Sequence, residues 1–217
     1  MGKNWEQLYP LQDWVLAQLR KVEHGFYLTG GTALSRGYYH HRYSEDLDFF
    51  VNDSPEFPLW RDRCLQLLEQ ASRAEGWRME IVLREERFGR ALLRGPTPLK
   101  LEFINDVPFR VGDPWPHPNL GPLDTKENIL ANKVSALVDR EEPKDVADIF
   151  WLCCRDNLNL SVAIQNAEGK AAGIFPPLVA RCLANALELG VPKVAWVEAP
   201  SEQEFRTRLE SLIDGLL

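Results

Sequence analysis

Apolar positions change rhythm midway along the chain. In the first half, short runs alternate apolar and polar residues, as in Asp46-Leu47-Asp48-Phe49 and Leu99-Lys100-Leu101-Glu102-Phe103. A period of two predicts strands with one face turned inward. Strands are expected over 26–29, 46–51, 78–84, 88–94 and 99–105, with a turn from Gly95 to Pro98 joining the last two. Helical spacing sets apart 5–23, with Trp5, Leu8, Leu11, Trp14, Val15 and Leu19 apolar, and 59–75, with Leu59, Leu65, Leu67, Leu68 and Ala71 inward. A short helix is expected over 32–39. The stretch from Val107 to Pro122 is rich in Pro and Gly and reads as a linker or crossing loop. Beyond it the spacing is helical at 124–139, 143–154, 161–170, 175–189 and 201–215. Asp124 with Glu127, and Ser201 with Glu204, are expected to cap two of these helices, and Pro143 suits the first turn of another. The expected class is α+β: a mixed-sheet domain with flanking helices over 1–110 and a helical bundle over 111–217.

Composition narrows the setting. The chain has 217 residues, 45% hydrophobic and 26% charged, which is ordinary for a globular protein. No apolar run approaches a membrane span, and the first residues lack the apolar core of a signal peptide, so a cytoplasmic location is expected. Four cysteines without a Cys-x-x-Cys pair argue against a zinc site or a secreted disulfide framework, and predict buried thiols. The net charge of −7 gives a polyanionic partner no general support. The exception is local: Arg84, Arg87, Arg90 and Arg94 form a series able to face an RNA backbone.

Candidate chemistry starts at Phe26–Asn52. Gly30 and Gly31 let a backbone approach a phosphate closely, and Thr32 adds a hydroxyl. A plain strand-to-helix turn explains the same residues equally simply, and the absence of a following Gly-Lys-Ser/Thr excludes a Walker loop. Asp46 and Asp48 lie on one face of a strand whose Leu47 and Phe49 face the core. Two carboxylates so placed repel, and a divalent cation relieves that cost. Glu102 points to the corresponding face of its own strand, as a third metal ligand or general base, or as half of a surface Lys100–Glu102 pair. Ser44 is expected to cap the turn feeding the acidic strand, Arg42 to pair with a carboxylate or a phosphate, and His40 and His41 to lie at the surface. A second group comprises Lys133, Arg140, Lys144, Asp145 and Asp148. Asp145 and Asp148 share a helix face, and pairing with Lys133 or Arg140 fixes a cation.

Taken together, Gly30 to Leu34, the run His41-Arg42-x-Ser44-x-Asp46-Leu47-Asp48, and Lys133, Arg140, Lys144, Asp145 and Asp148 resemble the AbiEii-type nucleotidyltransferases. These are toxin components of type IV toxin–antitoxin and abortive-infection systems, within the DNA polymerase β-like superfamily. The resemblance implies a nucleotidyltransferase core in the N-terminal half, and transfer of a nucleoside monophosphate from an NTP to an acceptor hydroxyl. It implies Asp46 and Asp48 as ligands of magnesium or manganese, with Glu102 where the superfamily has its third acid. Gly30, Gly31 and Thr32 would contact the triphosphate, and Lys133 would bind phosphate, positioned by Asp145 or Asp148. tRNA is the implied acceptor and a cognate antitoxin the implied partner. Transfer to a small molecule or a protein hydroxyl, and a catalytically silent binding module, are the alternatives. Residues 155–217 carry no resemblance.

Overall fold

A computed structural model describes residues 4–216. The chain forms two compact units. The first comprises residues up to Ala33, Ser44–Pro108 and Pro114–Asp124; the second comprises Leu34–Tyr43, Phe109–Asp113 and Thr125 onward. Residues 34–43 fold with the helical unit, and 114–124 fold with the sheet.

The first unit is a seven-stranded mixed sheet with the elements α1 (Trp5–Leu19), β1 (Tyr27–Thr29), the start of α2 (Gly30–Leu34), β2 (Leu47–Asn52), α3 (Phe57–Ala74), β3 (Arg78–Arg84), β4 (Phe88–Arg94), β5 (Pro98–Asp106), β6 (Trp115–His117) and β7 (Gly121–Leu123). Strand order is β3-β4-β5-β2-β1-β7-β6. β2 runs parallel to β5 and β1 parallel to β7, while the remaining neighbours are antiparallel. The stretch expected to be a linker thus contributes two strands. β7 is only three residues long and contains Pro122, so no alternation marks it.

Alternation sets the two faces of the sheet. Leu47, Phe49, Leu99, Leu101, Phe103, Ala91 and Leu93 are buried, on the side where α1 and α3 pack. Phe103 anchors this core, with its ring 5.2 Å from that of Phe26 and stacked 5.3 Å from that of Phe49. α3 buries Phe57, Arg61, Cys64, Leu65 and Leu68, but Leu59 near its start is 56% exposed and does not face inward as its spacing suggests. The intervening residues of each strand point to the second face.

The second unit holds a wide π-helical turn over Ser35–Tyr39, then α4 (Lys126–Arg140), α5 (Pro143–Phe150) with a π-helical extension to Arg155, α6 (Leu160–Glu168), α7 (Pro176–Leu189) and α8 (Glu202–Asp214). α4 packs against α5, α6 and α7, and Phe150 lies 5.3 Å from Phe205 in the core. Three helix starts of this unit are capped by side chains, α6 among them, where Asn159 accepts from the Val162 amide. Ser201 accepts from the Glu204 amide as expected, but α4 is capped by Thr125, which accepts from the Asn128 amide. Asp124, expected as that cap, has another partner described below. All four cysteines are free and buried. Among the described residues no helix is long and apolar enough to cross a membrane.

Because Phe103 is fully buried between two other rings, Phe103→Ala is expected to destabilise the first unit by about 3–5 kcal/mol, read as a drop in the urea midpoint.

Candidate active site

Register brings the predicted acids together. Asp48 on β2 lies directly beside Glu102 on the parallel strand β5, and Glu102 lies opposite Arg90 on β4. On the other flank Asp48 lies opposite Thr29 of β1. One row on the second face therefore reads Arg90, Glu102, Asp48, Thr29. Asp46 immediately precedes β2, two residues from Asp48, so all three acids rise from one face.

The ion pairs show how the acids are held. The Lys100 ammonium lies 3.0 Å from Asp46 and 3.4 Å from Glu102. Arg90 pairs with Glu102 at 2.6 Å. Burial pushes the Glu102 carboxyl up, but Lys100 and Arg90 outweigh it and hold it below the usual carboxylate range. Burial likewise depresses Lys100, yet Asp46 and Glu102 hold it above its ordinary value. Among the described residues no group of three or more His, Cys, Asp or Glu side chains stands ready to hold a metal ion. The acids nonetheless converge on one cation, since a single ammonium serves both Asp46 and Glu102. Magnesium commonly takes only one or two carboxylates and completes its shell with phosphates and water, so this donor set fits it.

The glycine turn closes against the same acids. Gly30 has φ +70°, and a Cβ placed there would lie 2.6 Å from Asp48 Oδ2. Only glycine accepts both the backbone angle and the approach of the carboxylate. Thr32 is fully buried and its hydroxyl donates to the Asp46 carbonyl, tying the turn to the acidic strand. That hydroxyl is engaged, leaving the backbone as the part of the turn available to a ligand. Ser44 is held through its main chain: its amide donates to Tyr9 Oη at 3.3 Å and its carbonyl accepts from Gln12 at 3.0 Å. Asp124 is fully buried and accepts from Thr29 Oγ1 at 2.5 Å, next to Asp48 in the row.

The helical unit holds the second predicted group, more tightly knit than expected. Lys133 Nζ lies 2.8 Å from Asp145 and 2.7 Å from Asp148, so both acids position it. Arg42 grips Asp148 with two bonds of 2.7 Å, and Arg140 binds Asp145 at 2.8 Å. Lys144 pairs instead with Glu142 and stays outside the group. His41, expected at the surface, is 1% exposed, and its Nε2 lies 2.9 Å from Asp148. The carboxylate has only lone pairs to offer, so Nε2 carries the proton. The ring is walled by Tyr39, Trp151 and Trp196, and Nδ1 has no partner among the described residues. Burial pushes the Asp148 carboxyl up, but Arg42 and Lys133 hold it well below the usual range. Burial pushes His41 below the ordinary histidine value, with Arg42 and Lys133 adding to the effect against the pull of Asp148.

The arginine series does not form a free basic strip. Arg84 pairs with Asp62, Arg87 with Asp53, Arg90 with Glu102 and Arg94 with Glu80. The partners are dispersed along the sequence, so the arginines look unpaired until the sheet brings the acids to them.

Over residues 14–216 the sequence matches the family described as nucleotidyl transferase AbiEii toxin of type IV toxin–antitoxin systems. The chain belongs to this family. Solved structures of the same fold include JHP933 from Helicobacter pylori, with a TM-score of 0.63 at 17% identity over 99% of this chain and 93% of that one. MenT4, the nucleotidyltransferase toxin Rv2826c from Mycobacterium tuberculosis H37Rv, matches with 0.56 at 17% identity over 96% and 83%. An antigenic nucleotidyltransferase-like protein from Paracoccidioides brasiliensis gives 0.50 at 16% identity over 97% and 93%. No curated protein matches the sequence. The AbiEii assignment makes the protein a nucleotidyltransferase of a toxin family, and the α+β fold agrees with it.

Two outcomes follow. Gly30→Ala is expected to cost about 1–2 kcal/mol from the left-handed backbone alone and to displace Asp48, measured as a lowered melting temperature together with weaker nucleotide binding. Acidification is expected to weaken the helical unit. Asp148 and His41 both have folded pKa values below their unfolded ones, so the unfolded chain binds more protons and stability falls with falling pH. The loss begins as pH drops below about 6.5, the ordinary histidine value, and continues through the carboxylate range. Urea denaturation across pH 7 to 5 checks it, and His41→Gln removes the first part of the loss.

Proposed function

We propose that the protein transfers a nucleoside monophosphate from an NTP to the hydroxyl of a tRNA, releasing pyrophosphate, as the toxin of a toxin–antitoxin pair with a cognate antitoxin. The observation that carries this reading is the register of Asp48 beside Glu102, with Gly30 packed against Asp48. Membership of the AbiEii family supports the reaction class and the toxin role.

In this reading Asp46, Asp48 and Glu102 would hold magnesium or manganese. When bound, the metal supplies charge neutralisation for the phosphates and a lower pKa for the attacking hydroxyl. The residues contribute the rest. The main chain of Gly30, Gly31 and Thr32 would lie along the triphosphate, where the two glycines permit close approach. Glu102, kept ionised by Lys100 and Arg90, would offer a ligand bond at neutral pH. Lys100, on a half-exposed stem, balances the acids while the site is empty and turns toward phosphate when nucleotide enters. In the helical unit Asp145 and Asp148 keep Lys133 charged and in place.

Incubation with each labelled NTP, magnesium and total bacterial RNA is expected to label tRNA. Asp46→Ala and Asp48→Ala are expected to lower the rate at least about a hundredfold, since several kcal/mol of charge stabilisation are at stake, without loss of the folded state. Label on protein or on a small molecule would move the acceptor to the alternative class. Absence of both transfer and metal-dependent nucleotide binding would leave a silent binding module.

A further inference from the structure

Two residues along each strand from the acidic row, register gathers a different set. Phe88 of β4 lies opposite Ile104 of β5, Ile104 beside Phe50 of β2, and Phe50 opposite Tyr27 of β1. These side chains share the second face with Arg90, Glu102, Asp48 and Thr29, in a parallel row about 7 Å away at the rise of a strand. Tyr27 is buried, with its hydroxyl on Asn52 and its ring 6.5 Å from that of Phe50. Phe50, Ile104 and Phe88 are only half-buried, although the core side of the same strands is closed. Arg90 joins the two rows, since the guanidinium that pairs with Glu102 also lies over the Phe88 ring, 5.2 Å from its centre.

The position of this row relative to the glycine turn gives it a meaning. Gly30 follows the C-terminal end of β1, whereas Tyr27 is at its N-terminal end, so the aromatic row and the turn lie on opposite sides of Asp48. In-line displacement puts the attacking oxygen and the departing pyrophosphate on opposite sides of the phosphorus. With the triphosphate along the glycine turn, the acceptor hydroxyl approaches from the side of Phe50, Ile104 and Phe88. We infer that this row is the seat of the base at the acceptor's end. The inference rests on the nucleotidyl-transfer reading for its direction. Half-buried rings, one of them beside a guanidinium, suit any base, because every base has a π face and arginine adds a cation–π contact. The row offers no hydrogen-bonding edge to read a particular base, so the end is recognised by stacking and not by sequence.

The test uses the whole protein and a fluorescein-labelled ten-nucleotide single-stranded RNA in magnesium without NTP, with binding followed by anisotropy. A second probe is the same RNA ending in an abasic ribose. Phe88→Ala and Phe50→Ala are each expected to weaken binding roughly 5- to 100-fold, the range for losing one base stack. Phe88→Trp retains affinity, Phe88→Leu behaves like the alanine variant, and the abasic RNA binds the wild type as weakly as those variants bind the intact one. Leucine keeps the apolar packing but not the stack, so it separates the proposed contact from a folding defect. Wild-type affinity in Phe88→Leu, or equal binding of the abasic RNA, overturns the inference. So does transfer of label to protein by a wild type that binds no RNA, an outcome that leaves the transfer reaction itself standing. Ring-dependent RNA binding without nucleotide transfer to any acceptor has the reverse effect: the base seat stands and the reaction falls.

Discussion

Asp48 and Glu102 are neighbours on parallel strands, and Asp46 is two residues from Asp48 on the same face. Carboxylates at that spacing repel, and half-burial strengthens the repulsion. Much of the surrounding chain answers this constraint. Lys100 reaches across to Asp46 and Glu102, Arg90 takes the outer side of Glu102, and Gly30 gives up its side chain so that Asp48 fits against the turn. Thr32 and Thr29 then tie the turn and the neighbouring strand to the same region, one through the Asp46 carbonyl and the other through Asp124. A face built this way carries negative charge that Lys100 and Arg90 balance.

The helical unit meets a related constraint by a different solution. Asp145 and Asp148 are fully buried, and the group includes Lys133, Arg42 and Arg140, so cations exceed acids by one. His41 joins as a neutral donor, because burial penalises its charged form and Arg42 and Lys133 add to the effect. Breaking one partner of such a buried set leaves a charge uncompensated, which costs about 3–5 kcal/mol. The network therefore fixes Leu34–Tyr43 to α4 and α5 within this unit. Its burial contrasts with the partly exposed Lys100 of the sheet. One charged group thus lies along a face of the sheet, and the other holds Lys133 between Asp145 and Asp148.

The parts of the fold that are legible in the sequence follow from local periodicity. Leu47 and Phe49 alternate with Asp46 and Asp48, and Leu101 and Phe103 with Glu102, so the local pattern alone sets which way the acids face. That β2 and β5 are neighbours, and that Glu102 aligns with Asp48, depends on long-range register, which no local pattern encodes. β7 is illegible because three residues with a central proline give no alternation, although it pairs with β1. His41 reads as a surface residue because two adjacent histidines look like a polar loop, while its partner Asp148 lies 107 residues away. The arginine series reads as free for the same reason, since Asp53, Asp62 and Glu80 neutralise it only after folding. Thr125 takes the cap from Asp124 because Asp124 is drawn to Thr29, a competition settled by tertiary contact.

The central claim is that the face carrying Asp46, Asp48 and Glu102 binds a divalent metal together with a nucleotide. Calorimetric titration of NTP into the wild type and into Asp48→Asn, with and without magnesium, tests it most directly. The account predicts nucleotide binding that requires magnesium in the wild type and is lost in the folded variant. Equal binding with and without magnesium, or undiminished binding by Asp48→Asn, would contradict it.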